Sequence, residues 1–167
     1  MVIGVGDYGN ADESFTKAIT AQVAVVTGWL SGSALDSERR FALSRPKQLH
    51  RTADLRSFLA EELNEVFYDE ALVVYITGHG ARSSSGRHYL TFMHTDDERL
   101  LSTAFPTGEF IAALMDSPAE HILIMVDSCF VGSPDSELRS RLQDLSPARR
   151  RSRSIAVVTV ETSTRSL

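Results

Sequence analysis

Residues 71–80 read A-L-V-V-Y-I-T-G-H-G. Residues 71–77 form a continuous run rich in β-branched side chains, which predicts a strand buried on both faces, as in the middle of a parallel sheet. Residues 121–126, H-I-L-I-M-V, form a second such run. Each run ends by delivering a residue capable of chemistry: His79 between two glycines after the first, and Cys129 in D-S-C after the second. Outward from these two strands, helix-like and strand-like patterns alternate. Residues 2–5 read as a short strand. Asp12 is the expected N-cap of a helix with Phe15, Ile19, Val23 and Val26 at helical spacing. Residues 41–44 are expected to form a short strand. Thr52 is expected to cap an amphipathic helix whose apolar face is Leu55, Phe58, Leu59, Leu63 and Val66. Residues 81–87, A-R-S-S-S-G-R, read as a polar loop, and residues 89–93 as a small strand. Residues 107–115 suit a helix with Phe110, Ile111 and Leu114 inward. Ser133 and Pro134, followed by Asp135 and Glu137, suit the start of another, and residues 155–160 form a last strand. Repeated βα units imply an α/β fold, a mostly parallel sheet with helices on both faces.

The chain has 167 residues, one domain's worth, with 43% hydrophobic and 23% charged residues. Its net charge of −5 gives no general attraction to nucleic acid. The longest apolar run, residues 18–30, is interrupted by Thr, Gln and Gly and is too short to span a bilayer, so no membrane partner is expected. The first residues lack the charged and apolar regions of a secretory signal. A single cysteine forms no internal disulfide or cysteine-based zinc site and suits a reducing compartment; the expectation is a cytoplasmic protein.

In open α/β sheets, sites form beyond the carboxyl ends of the strands, where both His79 and Cys129 fall. A free thiol is only a few per cent thiolate near neutral pH and needs a base; imidazole is the usual one. If the two strands are neighbours, thiol and imidazole meet across the top of the sheet. The backbone N–H groups of Gly80 and Cys129 are then the expected oxyanion donors. A helix starting near Ser133 would add a positive dipole end close to the sulfur. Gly4, Gly6 and Gly9 spell G-x-G-x-x-G, but the preceding strand is minimal and no acid ends a second strand, which disfavours dinucleotide binding. A cysteine phosphatase needs an arginine six positions after the nucleophile, where Asp135 stands; a hydrolase elbow needs glycine where Asp127 stands. His50, His88, His94 and His121 lack metal-ligand spacing, so no metal site is expected.

With Y-I-T-G-H-G followed fifty residues later by V-D-S-C-F, the sequence resembles the caspase and metacaspase superfamily. The caspase signature Q-A-C-x-G is absent. D-S-C is closer to metacaspases and bacterial caspase-like proteases, although Phe130, Val131 and Gly132 replace their usual His-Ser-Gly. The resemblance extends from the first strand to about Thr164 and rests on these two short motifs. It implies a Cys–His dyad of Cys129 and His79 that hydrolyses peptide bonds. It also implies that Asp127 lines the primary specificity pocket and pairs with Arg or Lys of the substrate; Asp7 and Asp12 are candidates for a second acidic wall. By the same resemblance, residues 1–145 correspond to a large-subunit-like part, 146–154 to an Arg-rich linker and 155–167 to the start of a small-subunit-like part. The family fold continues beyond that strand, so the resemblance leaves three expectations for this chain: a fragment, a processed piece, or an incomplete and inactive copy. Arg149, Arg150, Arg151 and Arg153 in the linker are candidates for self-processing.

The expected function is therefore that of a caspase-like cysteine endopeptidase acting on protein or peptide substrates. The sequence itself requires no cofactor; the resemblance makes calcium an activator to test, and a sensor domain or other effector a partner to look for. Two alternatives stand beside this reading: a catalytically silent caspase-like interaction module in a signalling or defence assembly, and a redox thiol switch at Cys129.

Overall fold

The apolar runs at the centre of the sequence lie side by side at the centre of the sheet. In the computed structural model of the chain, which describes residues 1–5, 13–32, 42, 47–129, 143 and 153–160, these runs are β3 (Ala71–Gly78) and β7 (His121–Ser128). They belong to a five-stranded sheet of order β2-β1-β3-β7-β8, completed by β1 (Val2–Gly4), β2 (Lys47–Gln48) and β8 (Ser154–Val160). Every pairing in it is parallel. The expected α/β class, with a parallel sheet between helices, is therefore observed.

Helices cover both faces. On one side lies α1 (Glu13–Ser31), whose Leu30 packs with Val2 and Tyr75, flanked by Val23, Val26, Val73 and Met125. Its approach is close: a Cβ on Gly4 would come within 2.8 Å of Val23 and 3.3 Å of Ile19. The opposite face carries α2 (Thr52–Asn64) and α4 (Thr107–Asp116), which bury Leu55, Phe58, Phe110, Ile111 and Leu114 against Ile3, Val74, Ile76, Ile122 and Ile124. Arg56 of α2 bridges to Glu109 of α4 at 2.8 Å.

Between the two central strands the chain makes a smaller antiparallel sheet of order β4-β5-β6: β4 (Gly80–Arg82), β5 (His88–Leu90) and β6 (Phe105–Pro106). A short helix, α3 (Leu100–Thr103), precedes β6. Part of the expected 81–87 loop is thus strand. Ala81 and Arg82 pair with Tyr89 and His88, and the reversal is confined to a tight turn in which Gly86 takes φ 83°, a left-handed conformation that glycine adopts without a side-chain clash. The start of α2 also differs from expectation. Thr52 is the first helical residue and Arg51 occupies the cap position, because the Asp54 carboxylate accepts the Arg51 backbone N–H at 3.0 Å. The strand expected at 41–44 falls outside the described residues except for Ala42, which is in no strand; the segment paired with β1 is instead Lys47–Gln48. Asp12 and the helix start expected at Ser133 also lie outside the described residues.

No helix among the described residues is long and apolar enough to cross a membrane.

Candidate active site

Register brings the two motifs together. Ala71 faces His121, Val73 faces Leu123, Thr77 faces Asp127 and Gly78 faces Ser128, so every partner lies fifty positions further along. His79 and Cys129 are the next residues on the two strands, leaving the sheet side by side at its carboxyl edge. Strand alternation also puts both on one face, shared with Tyr75, Thr77 and Asp127. Both side chains are partly exposed.

That face is the one α1 covers, and α1 shapes the histidine's surroundings. The Phe15 ring stacks on the His79 imidazole with centroids 3.7 Å apart and planes 4° from parallel. Two turns along, Gln22 Oε1 accepts the Thr77 hydroxyl at 2.9 Å. Burial holds the His79 imidazole below the ordinary histidine value. The neutral ring, the form able to take up a proton, is therefore favoured near neutral pH.

Gly80 opens β4 immediately after His79. The Thr91 N–H donates to the His79 carbonyl at 3.0 Å, and the Ser83 N–H to the Arg87 carbonyl at 2.9 Å. Hydrogen-bonded and non-hydrogen-bonded pairs alternate along an antiparallel ladder, so Gly80, paired with Leu90, occupies a non-hydrogen-bonded position. Its N–H is directed away from β5, as an oxyanion donor requires. The backbone here packs without space: a Cβ at Gly80 would fall inside 3.0 Å of Ser128 Oγ, His88 Nε2 and the Cys129 carbonyl oxygen.

Two residues beyond the expected set converge on that carbonyl. His88 Nε2 is 3.0 Å from the Cys129 oxygen, and its Nδ1 is 2.6 Å from Thr107 Oγ1 at the start of α4. The Ser128 hydroxyl donates to the same oxygen at 3.3 Å and lies 3.3 Å from His88 Nε2. Thr107 and Ser128 are each 2% exposed. Considered from sequence only as a metal ligand, His88 is part of a hydrogen-bonded network behind the cysteine. The one signal pointing to it is its position nine residues from His79 with a glycine-containing turn between, which suits a hairpin folding back.

Asp127 projects from β7 two residues before the cysteine and is partly exposed. Its Oδ2 accepts the Tyr75 hydroxyl at 3.0 Å. Burial first, with the Asp127 carboxylate adding to it, pushes the Tyr75 phenol up to about 12, so it stays a protonated donor. Among the described residues no cation pairs with Asp127. Asp7, Asp12, Arg149, Arg150 and Arg151 lie outside the described residues. Arg153 is described, and it is at the other edge of the sheet. Its guanidinium donates to the Met115 and Ser117 carbonyls, and the adjacent Ser154 pairs with His121. The length of β7, roughly 25 Å at about 3.3 Å per residue, separates it from Cys129. Among the described residues, no group of three or more His, Cys, Asp or Glu is placed to hold a metal ion.

Chemically, the arrangement offers a thiol, a neighbouring imidazole kept neutral, a backbone N–H turned out of its ladder, and a carboxylate on the same face. No family model matches the chain, and no curated protein matches it.

Proposed function

We propose that this protein is a caspase-like cysteine endopeptidase that cleaves after Arg or Lys. The observation that carries the reading is the unbroken fifty-residue register of β3 and β7, which ends at Gly78 and Ser128 with His79 and Cys129 next in line. In the proposed reaction the Cys129 thiol gives its proton to neutral His79 and its sulfur bonds to the peptide carbonyl carbon. The Gly80 and Cys129 N–H groups receive the oxyanion. The C–N bond then breaks and His79 returns the proton to the leaving amine. Water, deprotonated by the same imidazole, hydrolyses the thioester to carboxylate and free thiol.

Substrate preference follows from charge. A carboxylate two residues before the nucleophile attracts a cationic side chain and repels an acidic one. The Tyr75 hydroxyl supports this role by fixing Oδ2 of Asp127.

Fluorogenic peptides ending in Arg, Lys or Asp, incubated with the parent and with Cys129→Ala, test the reading. Turnover of the Arg and Lys peptides by the parent alone is the expected result. Absence of turnover in every condition, added calcium included, would overturn the peptidase reading. Turnover restricted to the Asp peptide would overturn the role of Asp127.

A further inference from the structure

We infer that His88 is a positioning residue for Cys129, acting through the cysteine's own carbonyl; this rests on the reading of Cys129 as the nucleophile. A carbonyl oxygen carries no proton, so in the 3.0 Å contact His88 Nε2 must be the donor. With the proton on Nε2, the neutral ring accepts at Nδ1, and the buried Thr107 hydroxyl is the donor 2.6 Å away. The Cys129 carbonyl thus sets the tautomer, and the Thr107 hydroxyl, able to donate, holds the ring in that orientation. The Ser128 hydroxyl supplies a second donor to the same oxygen, matching its two lone pairs.

This arrangement matters because Cys129 is the first residue past the end of β7, where sheet pairing with β3 no longer holds the backbone. Hydrogen bonds from β5 and from Ser128 take over, with α4 fixing the imidazole that makes one of them. They fix the Cys129 peptide plane, and with it the direction of the Cα–Cβ bond that carries the sulfur. Gly80 fits into the same cluster because it has no side chain. His88 is not a second base, since both ring nitrogens are committed, one to a backbone oxygen and one to Thr107.

The single cysteine makes the test direct, because 1-13C-cysteine labels the Cys129 carbonyl alone. Gln at position 88 can present an N–H near the place of imidazole Nε2, whereas Asn reaches only the place of Nδ1. In His88→Asn the labelled carbonyl resonance should move upfield, and the rate of Cys129 alkylation by iodoacetamide at fixed pH should change at least threefold. In His88→Gln both should return toward the parent. With an Arg peptide, kcat should fall at least tenfold in His88→Asn with KM within about threefold, and His88→Gln should recover most of it. An unmoved carbonyl resonance in His88→Asn, or a moved resonance with an unchanged alkylation rate, would overturn the inference. A parent that cleaves no peptide, yet shows the carbonyl and alkylation changes in His88→Asn, would sink the peptidase reading and leave the positioning role supported.

Discussion

Replacing Gly80 by alanine tests the packing at the candidate site with a single methyl group. The added Cβ would fall inside 3.0 Å of three atoms at once: Ser128 Oγ, His88 Nε2 and the Cys129 carbonyl oxygen. None is the end of a long flexible side chain. Ser128 is buried, His88 is held by Thr107, and the third atom is backbone. Overpacking of this kind costs about 1–3 kcal/mol, and loss of the His88–Cys129 hydrogen bond adds about 1 kcal/mol. The sum of roughly 2–4 kcal/mol corresponds to a Tm lowered by roughly 4–16 °C for a chain of this size. Activity should fall further than stability alone requires, because one of the displaced atoms is the carbonyl oxygen of the residue that carries the sulfur. Urea and thermal unfolding, with peptide turnover measured well below the melting range, read both effects. Gly28→Ala is the matched control: a Cβ at this exposed position of α1 meets nothing within 4 Å. Alanine there should stabilise by about 0.8–1 kcal/mol through helix propensity. Gly80→Ala melting and turning over like the parent would refute the packing argument.

Four further substitutions probe the site and the far end of the sheet. Burial keeps the folded-state pKa of His79 below its unfolded value, so the unfolded chain binds more protons, and stability should be lost as the pH falls below about 6.5. Urea midpoints at acid and neutral pH should therefore diverge more in the parent than in His79→Gln, and Phe15→Ala should raise the His79 midpoint in an NMR titration; equal midpoints would show that the stacked ring does not shield the imidazole. Tyr75→Phe removes the hydroxyl that orients Asp127, so KM for an Arg peptide should rise about threefold to tenfold, the effect of a hydrogen bond worth about 0.7–1.4 kcal/mol, with kcat nearly unchanged. Because the Tyr75 phenol is pushed up to about 12, the phenol step that Tyr75→Phe removes from a spectrophotometric titration should lie above pH 10. Arg153→Ala strips donors from the Met115 and Ser117 carbonyls and should cost about 1–3 kcal/mol in urea unfolding without altering KM, since Arg153 is at the far edge of the sheet.

The central strands were legible because strands buried on both faces leave continuous apolar runs, and the ends of those runs marked His79 and Cys129 as neighbours across a sheet. The polar, short and long-range features were less so. Lys47–Gln48 has two polar residues and no periodicity, and it becomes a strand only because β1 offers it an edge. Ala81 and Arg82 carry no strand signal of their own, and their ladder depends on β5 folding back. Thr52 has the chemistry of a cap, but the acid at position 54 reaches the backbone N–H of Arg51 and moves the cap back by one residue. The role of His88 required a fact no sequence spacing states, that the hairpin returns its ring to a carbonyl forty-one residues away.

The strand order has a consequence for the life of the chain before it folds. His79 and Cys129 are separated by fifty residues that include the whole small sheet and α4, and they become neighbours only when β7 zips in parallel onto β3. Parallel pairing over that distance closes a long loop and belongs among the slower folding events. A chain still emerging from the ribosome, or one with β7 detached, therefore carries an ordinary thiol and an ordinary imidazole. Under the proposed function, peptidase activity arrives only with the completed sheet, so a newly made copy spares its neighbours until it has folded.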